Sequence, residues 1–183
     1  MSKEIVKFGA EVLRSPCKAI TTFDENLSIL IDDLFDSMQV AEGVGLAAPQ
    51  IGFSTCVCVI DVSSQQPEHG PITLINPRIV VCEGEQIGEE GCLSFPDLYG
   101  DIKRYEFVKV DAFNKDGIPF STEGSGFYAR ALQHEIDHLN GILFIDHLKP
   151  LKRQLMRGAL KRLKKEGLRR QHENQLPIDK ANR

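Results

Sequence analysis

The residues Gln133-His134-Glu135-Ile136-Asp137-His138-Leu139 carry two histidines four positions apart, with a glutamate directly after the first. On an α-helix, residues four apart project only about 40° from each other, so both imidazoles can reach one metal ion. Glu135 then stands beside that ion as a candidate general base. The pattern predicts a helix with a metal site suited to hydrolysis, and such a site needs a third ligand.

The third ligand can be sought on either side of this helix. Downstream, where zinc proteases of the zincin type take it, the metzincin position holds Phe144, which cannot bind a metal. Glu166 and Glu173 lie in a strongly basic stretch with little apolar material, which disfavours an ordered ligand there. Upstream, Cys92 ends a predicted strand, and a thiolate with two imidazoles leaves a fourth tetrahedral position open for water. We therefore favour Cys92 with the two histidines.

A second segment, Gly43-Val44-Gly45-Leu46-Ala47-Ala48-Pro49-Gln50-Ile51-Gly52, is rich in small residues and carries one polar side chain. The amide of Gln50 can donate to a developing oxyanion, although a glutamine in such a loop can also face solvent. Together with Glu90-Gly91-Cys92-Leu93-Ser94 and residues 133–139, this segment resembles the three signature motifs of the bacterial peptide deformylases. Their order and spacing are similar, and the resemblance extends from residue 5 to residue 150.

The resemblance implies removal of the formyl group from the N-formylmethionine of nascent polypeptides, with release of formate. Metal-bound water would be the nucleophile, with Glu135 as general base and then as acid for the leaving amine. The metal, the Gln50 amide and the backbone N–H of Leu93 would stabilise the oxyanion. The implied cofactor is one divalent metal ion. From the resemblance we expect Fe²⁺ as the physiological ion, although ligand softness alone favours Zn²⁺. Zn²⁺, Ni²⁺ or Co²⁺ are expected to be able to replace it.

The family also clamps its peptide substrate as an extended strand, here between the Gly45 segment and the segment around Glu90 and Gly91. The methionine side chain needs an apolar pocket. Its predicted lining is Val44, Gly45, Phe127, Ala131 and the ring of His134. Arg104 and Arg130 are expected at the rim of this pocket, with surface salt bridges as the alternative. The role of Glu90 within its motif does not follow from the sequence.

Length and composition fit one globular domain, since 183 residues with 42% hydrophobic content can bury a core. We expect a catalytic domain over residues 1–166, which includes a C-terminal helix, and a polar, disordered tail over residues 167–183. No apolar run approaches a membrane span, and no targeting segment is visible. A cytoplasmic location without a membrane or DNA partner is therefore expected. Five cysteines do not suggest a disulfide framework, and we interpret Cys56 and Cys58 as core residues.

Charge is distributed unevenly along the chain. Residues 1–148 hold 10 basic and 23 acidic side chains, whereas residues 149–183 hold 12 basic and 3 acidic ones. The basic end could contact a polyanion, and the resemblance implies that this polyanion is the ribosome near the emerging chain. A solvated helix face is the alternative.

Hydrophobic periodicity predicts an α+β fold, with mostly antiparallel sheets packed around a central metal-binding helix, an N-terminal helix and a C-terminal amphipathic helix. A capping box from Thr22 to Glu25 should start the first helix, which then runs to Ala41. The predicted strands cover residues 55–62, 72–75, 78–82, 86–92, 105–113 and 118–122, with a hairpin turn at 114–117.

The two later helices are predicted from their end signals and apolar positions. Ser125 should cap the metal-binding helix, and Gly141 should follow its end in the left-handed conformation. Asp137 cannot share the metal-binding side of this helix. The final helix should bury Leu148, Leu151, Leu155, Ala159 and Leu163 and end at Gly167.

Two other functions remain open at this point. A zincin-like metallopeptidase shares the two histidines and the glutamate but needs a ligand after the helix, so that replacing Cys92 should leave its metal in place. A non-catalytic binding module would hold a structural metal and contact RNA through the basic tail. Such a module would not need Glu135.

Overall fold

The structure, a computed structural model, describes residues 1–175. The helices are α1 (Glu25–Val40), α2 (Gly126–Leu139) and α3 (Pro150–Gln175), and short 3-10 helices lie at Glu11–Arg14, Ala48–Ile51 and Phe144–Asp146. The strands are β1 (Gly45–Ala47), β2 (Val57–Ile60), β3 (Ile72–Glu83), β4 (Gln86–Cys92), β5 (Phe95–Arg104), β6 (Phe107–Phe113) and β7 (Pro119–Ser125). None of the helices in this part of the chain has the length and apolar character needed to cross a membrane.

Five strands form one antiparallel sheet in the order β1-β2-β3-β6-β7, and β4 pairs with β5 in a separate sheet. Strand β2 is buried at every position because a helix covers each face of the sheet. Val57 and Val59 pack with α1, whereas Cys58 and Ile60 pack with α2. The predicted α+β class with a central helix is confirmed, and Cys56 and Cys58 are core residues as interpreted.

Helix α1 begins after Asp24, whose side chain accepts a hydrogen bond of 3.0 Å from the backbone N–H of Leu27. The prediction placed the capping residue at Thr22, which is two residues before the observed capping residue, Asp24. Asp24 satisfies one of the free N–H groups of the first turn and places a negative charge at the positive end of the helix dipole.

The strands predicted at residues 72–75 and 78–82 are one continuous strand, β3. Its register with β6 shifts between Ile75 and Arg78, where Asn76 has a positive φ of 50°. The chain absorbs the Asn76-Pro77 pair in a bulge and continues in the same sheet. The side chain of Asn76 also binds both backbone groups of Ile20, at 2.8 Å each. The Asn-Pro pair therefore marks a bulge within one strand, and the prediction of two separate strands was wrong.

Two strands were not predicted. The sequence predicts a loop where strand β1 lies, because three residues with a glycine give too little pattern, yet these residues pair with β2 over their whole length. Strand β5 alternates buried and exposed residues from Gly100 to Arg104, but Asp101 and Lys103 give it a polar composition that hides the alternation. The hairpin between β6 and β7 is confirmed.

Helix α2 lies against β1, β2, β6 and β7, with both of its sides buried as predicted. Gly141 follows its end with a φ of 72°, which confirms the predicted left-handed residue. Ser125 occupies the position before the first turn but makes no capping hydrogen bond with its side chain, so that part of the prediction was wrong.

Helix α3 confirms the predicted buried face only in part: Leu163, and Leu148 just before the helix, are buried as predicted. Leu151 and Leu155 are 70% and 76% exposed, whereas Met156 and Leu163 belong to a third apolar cluster with β5 and the segment around Phe144. The predicted end at Gly167 was also wrong, because the helix continues to Gln175. Gly167 is instead the point where α3 crosses the N-terminal segment. A Cβ atom there would lie 2.3 Å from the carbonyl oxygen of Phe8. The rest of the predicted disordered tail, residues 176–183, lies outside the described residues.

This crossing generates a stability prediction. Gly167→Ala should lower the free energy of unfolding by about 1–3 kcal/mol, because the added methyl group forces two backbones apart. Gly158→Ala is the matched control on the same helix, where the nearest atom to a new Cβ is the end of the Arg162 side chain at 3.8 Å. It should raise the free energy of unfolding by up to about 1 kcal/mol. Urea denaturation measures both, and equal shifts would contradict the close crossing.

Candidate active site

Three side chains from two elements converge at one end of α2. Cys92 ends β4, and His134 and His138 lie one turn apart on α2. Their potential ligand atoms all lie within 4.8 Å of one another, and Sγ of Cys92 is 3.2 Å from Nε2 of His138. Among the residues that the structure describes, this is the only such group of three or more ligand-type side chains. One thiol and two imidazoles form a donor set that suits a divalent transition-metal ion, with room for a further ligand.

The protonation of the two histidines is controlled by different surroundings. Burial and the neighbouring His134 hold the pKa of His138 well below its usual value, so its ring stays neutral and able to coordinate. Burial also acts to lower the pKa of His134. The contacts with Cys92 and Glu90 outweigh burial and hold that pKa well above its usual value.

The carboxylate of Glu90 orients His134. One of its oxygens, Oε2, lies 3.0 Å from Nδ1 of His134, which leaves Nε2 of that ring for the metal side. Arg104 donates to both carboxylate oxygens at 2.9 and 3.0 Å, and Arg130 donates to Oε1 at 2.8 Å. Burial alone would raise the pKa of Glu90, but the hydrogen bonds from His134 and Arg104 hold it well below its usual value. Glu90 is therefore ionised, and its side chain supports His134, a candidate metal ligand.

The hydrogen-bond network around Glu90 continues behind the candidate metal site and includes Arg104, which was expected at the rim of the methionine pocket. Arg104 also donates to Asp137, which in turn lies 2.8 Å from Nε2 of His147. Only 6% of Arg104 is exposed, and it does not line the cleft described below, so the expected rim position was wrong. Arg130 does line the cleft, but it is buried as well. Both arginines pair with the buried Glu90 carboxylate, which requires cationic partners, and neither forms an exposed salt bridge with another described residue.

Glu135 is a buried carboxylate in a different situation. Burial raises its pKa to about 7, and its Oε2 atom has no hydrogen-bond partner among the described residues. Gly45 makes room for it, since a Cβ atom at that position would lie 2.3 Å from Oε1 of Glu135. A carboxylate with a free oxygen and a near-neutral pKa has the properties of a general base.

Gln50 is held beside the ligands with its amide donor turned toward them. Its Oε1 accepts a 2.9 Å hydrogen bond from the backbone N–H of Ala47, and its Nε2 lies 3.5 Å from Sγ of Cys92 and 3.4 Å from Oγ of Ser94. Only 2% of Gln50 is exposed, so the solvent-facing alternative is excluded. Ser94 is a member of this site for which the sequence predicts no role.

A cleft of about 590 Å³ runs over these groups. The residues predicted for the methionine pocket all line it: Val44, Gly45, Phe127, Ala131 and His134. Gly91 and Leu93 line it too. Tyr99 was missed, although its ring covers Gly91 so closely that a Cβ there would lie 2.6 Å from a ring carbon. No signal pointed to Tyr99, because β5 itself was not predicted.

Comparison with known proteins agrees with this geometry. A family model described as polypeptide deformylase matches residues 2–154. Peptide deformylase 1 of Bacillus subtilis is 51% identical over 142 residues, which are 78% of this chain and 87% of that protein. The peptide deformylase of Acidobacterium capsulatum is 46% identical, over 91% of this chain and 98% of its own. A crystal structure of a peptide deformylase from Legionella pneumophila superposes with a TM-score of 0.83 at 46% identity, covering 92% of this chain and 99% of its own.

The Glu90 contact generates a prediction about metal affinity. Glu90→Gln should weaken metal binding by roughly 10- to 100-fold, because a neutral amide is a poorer partner for the candidate ligand His134. Competition with a chelating dye measures the affinity. Glu89→Gln is the matched control, since the neighbouring Glu89 is exposed. If both variants bind metal as tightly as the parent, Glu90 does not support the ligand.

Proposed function

The chain belongs to the polypeptide deformylase family, which removes the N-formyl group from nascent polypeptides, and we propose that Cys92, His134 and His138 hold its single divalent metal ion. The observation that carries this proposal is the convergence of one thiol and two imidazoles from β4 and α2. The free carboxylate oxygen of Glu135 beside them supplies the base that such a hydrolysis requires.

The chain's own residues account for the proton transfers and the charge that develops. When bound, the metal ion activates a water molecule and polarises the formyl carbonyl. Glu135 takes the proton of the water as the formyl carbon is attacked and later gives a proton to the leaving amine. Nε2 of Gln50 and the backbone N–H of Leu93 donate to the oxygen that becomes negative. Formate and a free amino terminus are the products.

The substrate lies in the cleft as an extended strand. Strand β1 is an edge of the five-stranded sheet, and β4 pairs only with β5 within the described part of the chain. Both strands therefore have one edge available for main-chain hydrogen bonds to a peptide. This mode binds backbone and tolerates varied side chains, which suits an enzyme that acts on many nascent chains. Val44, Gly45, Phe127 and Ala131 line the methionine pocket.

For the cofactor, we propose Fe²⁺ as the physiological ion. The Cys-His-His set also suits Zn²⁺ on ligand softness, and Zn²⁺, Ni²⁺ or Co²⁺ can replace iron. The resemblance to the bacterial enzymes supports iron. Equal turnover by matched iron-loaded and zinc-loaded samples would contradict this choice.

The competing functions have less support. A zincin-like peptidase needs a ligand after the helix, but Phe144 is buried in an apolar cluster and Glu166 is paired with Arg170 on α3. A non-catalytic module with a structural metal leaves the buried, unpaired oxygen of Glu135 unexplained. The family assignment favours the deformylase over both.

We propose that the chain acts in the cytoplasm and that α3 contacts the ribosome. Helix α3 exposes basic side chains, among them Lys161 and Lys165, together with the apolar Leu151 and Leu155. Ribosomal RNA is a polyanion, so this surface is complementary to it in charge. Residues 1–166 form the catalytic domain in this proposal, although α3 continues past that boundary as one helix.

The catalytic role of Glu135 is tested by Glu135→Gln. Its turnover number should fall by roughly 10²- to 10⁴-fold, because the amide cannot take up the proton of the water. Metal content should be unchanged, since Glu135 is not a ligand. Formate release from formyl-Met-Ala-Ser by anaerobically prepared, iron-loaded protein measures activity.

Glu123→Gln is the control for this variant, because Glu123 lies on β7 in a partly exposed pair with Lys109. It should hydrolyse the peptide like the parent. Parental turnover by Glu135→Gln would refute the catalytic assignment and favour a structural metal site.

The ribosome contact is tested by charge reversal on α3. The double variant Lys161→Glu, Lys165→Glu should bind ribosomes at least about 10-fold more weakly at low salt, because it removes cations that face phosphates. Turnover of formyl-Met-Ala-Ser should stay at the parental value. The control, Lys18→Glu with Lys115→Glu, reverses two exposed lysines away from α3. If both double variants cosediment with ribosomes alike, α3 is not the docking surface.

A further inference from the structure

Residues 6–8, near the start of the chain, bind both loops that carry the proposed oxyanion donors. The backbone N–H of Val6 donates to the carbonyl oxygen of Gln50 at 2.8 Å, and the backbone N–H of Phe8 donates to the carbonyl oxygen of Ser94 at 3.0 Å. Between them, Nζ of Lys7 donates to the carbonyl oxygen of Leu93 at 3.0 Å. Three consecutive residues therefore link the Gln50 turn to the Leu93 turn.

This link matters because the two donors come from separate sheets. Gln50 follows β1 of the five-stranded sheet, whereas Leu93 connects β4 to β5 of the two-stranded one. No strand ladder joins these sheets in the described part of the chain. Nε2 of Gln50 lies 3.5 Å from Sγ of Cys92, an ordinary distance for a hydrogen bond to sulfur, and 3.4 Å from Oγ of Ser94, which is long for a bond to oxygen. These two side-chain contacts leave the backbone of the two turns unlinked, so the distance between the two donors also depends on the other contacts between the turns.

Lys7 supplies the side-chain part of that connection. It is half-buried, and it lines the same cleft as Gln50, Leu93 and Glu135. Its bond to the Leu93 carbonyl limits rotation of the peptide that follows Leu93, directly beside the N–H assigned to the oxyanion. Oriented donors stabilise a transition state only where the charge develops, so small rotations are costly.

Residues 6–8 are themselves fixed from the other side. The ring of Phe8 stacks on Phe95, the first residue of β5, with ring centroids 4.7 Å apart. Helix α3 crosses the backbone of Phe8 at Gly167. The segment that holds Lys7 therefore cannot move away from the cleft without disturbing two packed elements.

We propose that Lys7 is a positioning residue of the deformylation reaction, which holds the Leu93 peptide in register with the Gln50 amide. This inference rests on the proposed roles of Gln50 and Leu93 as oxyanion donors. Lys7 does not touch the reacting atoms in this arrangement. Its effect is expected in kcat, because the oxyanion exists only after attack on the formyl group.

The test compares Lys7→Met, which keeps the apolar stem, with Lys7→Arg, which keeps a cationic donor. Lys7→Met should lower kcat for formyl-Met-Ala-Ser by roughly 10- to 100-fold, with KM within about threefold of the parent. Lys7→Arg should recover most of that loss. Iron content and melting temperature are measured on the same samples. Lys3→Met, on the same segment but paired with Asp33, should keep the parental kcat.

Parental kcat for Lys7→Met would overturn the proposal, and so would a loss confined to KM or one that Lys7→Arg does not relieve. If Lys7→Met loses iron or folds poorly, Lys7→Gln, with a shorter uncharged donor, takes its place under the same criteria. Gln50→Ala, assayed in parallel, distinguishes a failure of the proposed role of Lys7 from a failure of the proposed oxyanion donors. A slow Gln50→Ala beside a fast Lys7→Met refutes only the role of Lys7, whereas parental rates for both also refute the proposed oxyanion donors.

Discussion

The carboxylate of Glu90 is buried and is bonded to side chains from two other elements. Arg104 reaches it from β5, and Arg130 and His134 reach it from α2. A buried charge without partners is strongly unfavourable, so these contacts must form together or the fold is disfavoured. They fix the register of β4 on β5 and the rotation of α2 against both strands. The distance from Cys92 to the two histidines follows from that arrangement, since Cys92 is two residues beyond Glu90.

Two buried carboxylates near the site are given opposite properties by their neighbours. Glu90 and Glu135 are about equally shielded from water. The hydrogen bonds from His134 and Arg104 keep Glu90 ionised, whereas Oε2 of Glu135 has no partner among the described residues and burial raises the pKa of Glu135 to about 7. A permanently charged group is suited to orienting a ligand, and a group that gains and loses a proton near neutral pH is suited to acid–base work. Hydrogen-bond partners therefore determine which of the two carboxylates stays charged and which can exchange a proton.

Local patterns in the sequence predicted the parts of the structure that depend on local geometry. The spacing of His134 and His138 depends only on helix geometry, and the three motifs brought Gln50 and Cys92 to the same site through a family resemblance. The partners of Glu90 could not be predicted, because Arg104 lies on the unpredicted strand β5 and its distance from Glu90 depends on strand register. Part of the buried face of α3 was misassigned for a similar reason. Leu151 and Leu155 fit the same helical stripe as Leu163, but only Leu163 is buried, together with Met156, which was not predicted.

The unpaired edges of β1 and β4 could pair with strands of other molecules, and nearby residues disfavour such pairing. Unpaired strand edges can recruit strands from other molecules, yet a peptide-binding cleft needs them free. Strand β1 has only three residues, too few to template a long pairing. Exposed carboxylates also line the cleft at Glu42, Glu89 and Asp97, and they disfavour the approach of a second copy of this acidic surface. A single extended peptide with a neutral formylated end meets no such repulsion at its reacting group. In the proposed binding mode, the same edges accept one peptide strand transiently, while these carboxylates discourage permanent association.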